Sequence, residues 1–116
     1  MKKIEICKNN IYHYDKLPDR NELEVFTNLI TTKNLIIERI ISKGWNKVED
    51  KWYDQENDEW VLLLKGLATL EFENNHLIEL VEGDYILISS HQRHKVIKTS
   101  SKPPCIWLAI HFNNSD

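Results

Sequence analysis

The fold class expected is all-β, an antiparallel sandwich or barrel. Three observations lead there. After residue 33, short runs rich in β-branched and aromatic residues follow one another at near-regular spacing. Within them, side chains alternate or are wholly apolar instead of recurring with a helical period. The breaks between runs carry Asn, Gly, Asp and Pro, residues that favour turns. With 116 residues, 41% hydrophobic and 28% charged, the chain has enough apolar material for one core, so a single domain spanning 1–116 is expected.

The first element is the exception. "PDRNELEVFTNLIT", residues 18–31, opens with Asp19 and Glu22 at capping-box spacing. Leu23, Phe26 and Leu29 then recur on one helical face with Ile30 beside them, which predicts a short helix. Residues 1–34 are therefore expected to be an N-terminal strand/helix extension, with a barrel over 35–112. "NLIIERIIS", 34–42, is β-branched and bounded by Asn and Gly, hence a strand. "EWVLLLKG" is a continuous apolar strand ended by Gly66. In "LATLEFE", Ala68, Leu70 and Phe72 share one face while Thr69, Glu71 and Glu73 share the other. Asn74 and Asn75 read as a tight turn. "HLIELVEGDYILIS" supplies two strands about the turn "EGD". "HKVIKTS" and "CIWLAIHF" complete the set across the proline loop "SSKPP".

Composition excludes several classes of partner. Net charge is −3 and the lysines are scattered, which argues against nucleic acid or an anionic membrane surface. "MKKIEICKNN" has no apolar stretch behind its lysines, so no signal peptide is expected, and no run is long enough to span a membrane. Cys7 and Cys105 are isolated, without a C-x-x-C or Cys/His cluster. They are read as two free, buried thiols of a cytoplasmic protein. No Ser or Cys nucleophile sits in a recognisable local signature.

Polar residues gather at two strand edges. In "WYDQENDEWVLLLKG", 52–66, alternation puts Tyr53 and Gln55 on one face, Trp52 and Asp54 on the other. Glu59 leads straight into an apolar run, where a carboxylate is costly to bury unless a base, a set of hydrogen-bond donors or a metal meets it. The second knot is "SSHQRHKV", 89–96, with His91, Arg93 and His94 beside the apolar "YILIS". In a closed antiparallel barrel, two such edges face each other across the interior.

These two segments resemble the two motifs of the cupin superfamily, small jelly-roll barrels. Glu59, the six residues "WVLLLK" and Gly66 match the Glu-to-Gly half of the first motif, with Tyr53 and Gln55 where its two histidines stand. "GDYILISSHQRH" is similar to the second motif, with Ser89 and His91 at its Pro and Gly positions and His94 at its metal-binding histidine. The resemblance covers roughly residues 35–112. It implies a cupin jelly-roll β-barrel holding a divalent transition metal (Fe, Mn, Ni or Zn) through Gln55, Glu59 and His94. Tyr53, His91, Arg93 and His111 would then contact substrate or support the ligands. It further implies a small-molecule ligand, homodimers paired through edge strands, and chemistry such as a metal-dependent oxygenase or isomerase. The alternative is a metal-free small-molecule-binding or sensor cupin, in which Tyr53, Gln55, Glu59 and His94 hydrogen-bond a sugar-like or carboxylate ligand; Glu59 and His94 could also simply form a buried hydrogen-bonded pair that closes the barrel mouth. Trp45, Trp52, Trp60 and Trp107 are assigned to core and interface.

Overall fold

The computed structural model describes residues 6–19, 22, 24–44 and 52–113. Eight strands follow in order: β1 (Glu24–Thr31), β2 (Leu35–Ser42), β3 (Asp58–Lys65), β4 (Ala68–Phe72), β5 (His76–Leu80), β6 (Tyr85–Ile88), β7 (His94–Thr99) and β8 (Cys105–Phe112). They form two antiparallel sheets, β1-β2-β8-β3-β6 and β5-β4-β7. Among the described residues no helix is long and apolar enough to cross a membrane.

The helix expected over 18–31 is not there: Glu24–Thr31 is a strand. Its capping-box pair does form a local turn, with Glu22 N donating to the Asp19 carbonyl at 3.1 Å and Asp19 N to Glu22 Oε1 at 3.3 Å. A turn does not oblige a helix. Val25, Phe26, Thr27, Ile30 and Thr31 favour extended backbone, and the neighbouring strand offers a full ladder, from Glu24 against Ser42 to Thr31 against Ile36. A bulge between Asn28 and Ile30 absorbs one residue. Pairing with β2 supplies tertiary hydrogen bonds that an isolated two-turn helix lacks. Leu23, Trp45 and the loop "KVED" lie outside the described residues.

The other elements fall where alternation puts them. Ala68, Leu70 and Phe72 point from β4 into the core, packed with Val61, Leu63, Ile88, Trp107 and Ala109. Asn74 and Asn75 take left-handed backbone, with φ of 66° and 59°, and close the β4–β5 hairpin. Gly66, at φ 98°, ends β3 where any Cβ would lie 2.7 Å from Ser100 Oγ and 2.8 Å from Cys105 Sγ, so only glycine fits. Trp107 satisfies its indole in the core by donating to Ser42 Oγ at 2.9 Å. Both cysteines are free, but only Cys105 is buried; Cys7 is exposed on the N-terminal segment, contrary to the expectation for it.

Candidate ligand site

The site is built by cross-strand register. In the larger sheet, β2, β8 and β3 are neighbours, and Glu59 lies directly opposite His111. Glu38 pairs with Ala109, one inward position along from His111, a diagonal within side-chain reach. His111 Nε2 donates to Glu38 Oε1 at 2.7 Å and stands 3.7 Å from Glu59 Oε2.

The second motif enters from the smaller sheet. Residues 53–55 run beside 91–94: Tyr53 N donates to the His94 carbonyl at 2.7 Å, His94 N to the Tyr53 carbonyl at 3.1 Å, and His91 N to the Gln55 carbonyl at 2.7 Å. This clamp sets the two polar segments side by side. It places His94 Nε2 3.5 Å from Glu59 Oε1, with Glu59 7% and His94 6% exposed. His94 Nδ1 lies 2.9 Å from the Gln92 carbonyl. A carbonyl oxygen only accepts, so Nδ1 carries the proton and Nε2 faces Glu59.

Tyr53, Gln55, Glu59, His94 and His111 line one cavity of about 70 Å³ between the sheets. Its apolar wall includes Val61, Leu70, Ile88, Val96 and Trp107. Glu24 and Glu38 line it too. The Tyr53 hydroxyl donates to Glu24 Oε1 at 3.2 Å, and its ring lies 5.7 Å from that of His94. Sequence reasoning missed both of these carboxylates. Glu38 carried a usable signal: it shares strand parity with Ile36 and Ile40, so a charge stands on an apolar inward face. Glu24 was hidden by the helix reading of its segment.

His91 and Arg93 stand elsewhere. His91 takes left-handed backbone (φ 61°), and this bend turns its ring outward onto Asp54 Oδ1 at 2.7 Å, both side chains well exposed. Arg93 lies 3.5 Å from Glu73 and 5.6 Å over the Trp52 ring, which Lys95 also covers at 4.5 Å. Trp60 packs on Tyr85 at 5.4 Å.

Both interior imidazoles hold their protons more tightly than usual. For His94, burial alone would lower the pKa. The Glu59 carboxylate and the Gln92 carbonyl outweigh it, and the net shift is upward. For His111, the hydrogen bond to Glu38 raises the pKa against burial, with the charge of Glu59 adding to it. The cluster thus holds carboxylates as bases beside imidazoles as acids, a set suited to hydrogen bonding and proton exchange.

The donors do not fit the metal centre that the motif positions imply. Among the described residues, no three of His, Cys, Asp and Glu are gathered to hold a metal ion. Of the four motif positions only Glu59 and His94 carry strong ligand types. Tyr53 donates its hydroxyl hydrogen bond to Glu24, Gln55 offers a neutral amide, and His111 is committed to Glu38.

A family model described as Cupin domain matches residues 40–111. No match was found among curated proteins. Among solved structures, a Ralstonia eutropha JMP134 protein provisionally named as a mannose-6-phosphate isomerase is 34% identical, over 93% of this chain and 99% of that one, with a TM-score of 0.81. A cupin superfamily protein from Desulfitobacterium hafniense DCB-2 is 17% identical over 97% and 94% of the two chains, with a TM-score of 0.72. HppE with Fe(II) is 16% identical over 83% of this chain and 53% of that one, at a TM-score of 0.68, and so shares the fold. With two sheets rolled around one cavity and a family model over most of its barrel, this chain belongs to the cupin family.

Proposed function

We propose that this protein is a cupin that binds a small polar molecule in its barrel through hydrogen bonds and proton exchange, without depending on a metal ion. The observation that supports it is the convergence of Tyr53, Gln55, Glu59, His94 and His111 on one cavity whose remaining wall is apolar. Glu59 and His94 face each other as base and acid, so a bound molecule between them can lose a proton to one and regain it from the other. The isomerase name of the Ralstonia relative is consistent with such removal and return of a proton. Its substrate does not carry over so readily: a phosphate group needs cationic partners, and no Lys or Arg is among the described residues lining the cavity.

One observation favours the metal-dependent reading. The Gln92 carbonyl holds the His94 Nδ1 proton, an orientation typical of a ligating histidine, and Glu59 stands beside the free Nε2. An Fe, Mn, Ni or Zn ion held by Glu59, His94 and Gln55 would then supply Lewis-acid or oxygen chemistry. Native mass spectrometry with elemental analysis of the purified protein separates the two. A bound small molecule with well under one transition metal per chain is expected. One metal per chain in the wild type, lost in His94→Ala, would replace the first reading with the second.

The reading includes a cytoplasmic homodimer. Among the described residues β1 has β2 as its one strand neighbour, and Phe26, Leu29 and Ile30 on it are exposed, so this edge suits pairing with a second copy. Light scattering at the mass of one chain would remove the dimer from the proposal.

A further inference from the structure

We infer that the group this cavity receives against Glu59 is the protonated amine of a small organic cation, a claim that rests on the metal-independent reading above and narrows it. Glu59 is more than nine-tenths buried and lines the cavity. Yet its two nitrogen neighbours, on His94 and His111, stand at 3.5 and 3.7 Å. Charge-assisted hydrogen bonds run about 2.7–2.9 Å, and a carboxylate offers about four acceptor sites. The most buried acid of the site is therefore loosely met, and its lone pairs are available to N–H donors on a guest. A buried anion in this condition gains most from a partner that brings positive charge with it.

The surrounding charges point the same way. His111 is committed at 2.7 Å to Glu38, which leaves that imidazole balanced by its own acid rather than by Glu59. Glu38 and Glu59 bring two carboxylates to the cavity, and His94 and His111 two imidazoles. Glu24 lines the cavity as a further carboxylate. The cations of the neighbouring segments are turned away: Arg93 to Glu73, Lys95 to Glu71, and Arg39 to the Ile11 and His13 carbonyls. An anionic guest would face carboxylates across a space of low dielectric with no Lys or Arg among the described lining residues, and both imidazoles there already face acids. An ammonium group would complete the set. Its carbon skeleton would lie along Val61, Ile88 and Trp107, and an aromatic wall is itself favourable to an ammonium group.

Three two-carbon probes of nearly equal size but different charge test this: ethanolamine, ethylene glycol and glycolate. Each is titrated at neutral pH, with a chelator present throughout, into the full chain carrying isotope-labelled histidine, and the ring signals of His94 and His111 are followed. Ethanolamine is expected to bind at least about tenfold more tightly than ethylene glycol, and glycolate more weakly than either. In Glu59→Gln the ethanolamine preference should fall to the ethylene glycol level; the wild-type ranking stands as the test should that variant not fold. If ethylene glycol or glycolate binds as tightly as ethanolamine, the cation claim is overturned while the small-molecule reading survives. If none of the three moves either ring signal, both are overturned.

Discussion

Replacing Glu38 by Gln removes a charge from the interior while keeping the side chain's shape. The His111–Glu38 contact is 2.7 Å long, and both side chains are largely buried, at 15% and 13% exposed. A hydrogen bond to a charged partner in that setting contributes about 1.5–3 kcal/mol. At roughly 4 °C per kcal/mol for a domain of this size, the variant should melt about 6–12 °C below wild type. The loss should depend on pH, and its sign follows from the histidine. The hydrogen bond to Glu38 raises the His111 pKa, so its stabilisation is fully present below the ordinary value of 6.5 and is lost as pH rises through the raised value. The gap between variant and wild type should therefore be widest near about pH 6 and narrow toward about pH 9. Differential scanning calorimetry of both proteins at the two pH values measures it. An equal gap at both, or none at the lower, would refute the placing of His111 against Glu38.

Glu59→Gln should lower the titration midpoints of His94 and His111 together, because its carboxylate raises both, and NMR that finds one of them unmoved would contradict the shared site. Gly66→Ala should cost roughly 2 kcal/mol or more in urea unfolding, since it combines left-handed backbone with a Cβ pressed on Cys105; a loss under about 0.5 kcal/mol would show that β3 can end differently. Leu63→Ala, at a fully buried position, should cost about 2–5 kcal/mol by the same assay. His91→Ala breaks an exposed pair with Asp54 and should change stability by less than about 1 kcal/mol, with the probe affinities of the cavity unaltered.

The strands after residue 33 were legible because their two kinds of pattern have different physical origins, and both were present. Alternation marked β4, where one face is buried, and continuous apolar runs marked β3 and β8, which are flanked on both sides in the larger sheet. Tyr53 and Gln55 were placed together by parity, and the meeting of Glu59 with His94 followed from two polar knots at strand edges. The N-terminal segment was misread because a capping turn at Asp19 and a few apolar residues at helical spacing are local signals. The competing ladder with β2 is not local. Glu38 went unnoticed for a similar reason: its importance lies in a diagonal contact with His111, 73 residues away in the chain, and no window of sequence contains both. His91 shows the reverse error: the resemblance implied a place at the site, but its left-handed backbone turns the ring out to Asp54.

Register ties the fold and the site together. Glu38, His111 and Glu59 occupy inward positions on three adjacent strands, so acid, base and acid alternate across the sheet, and His94 arrives from the facing sheet to extend the row. A one-residue slip of β8 between β2 and β3 would send His111 to the outer face and bring its outward neighbours, Ile110 and Phe112, to the cavity. Two acids would then be buried without a base between them, at a cost of several kcal/mol on top of the lost packing of Trp107. The polar row therefore disfavours the wrong pairing alongside the apolar core. It follows that variants removing charge from this row should relax the discrimination between registers as well as the chemistry. Glu38→Leu together with His111→Leu would restore an apolar interior of similar volume. That pair should recover much of the stability lost in either single change, and unfolding curves of the three variants decide the point. Additive losses would mean that the two side chains do not meet.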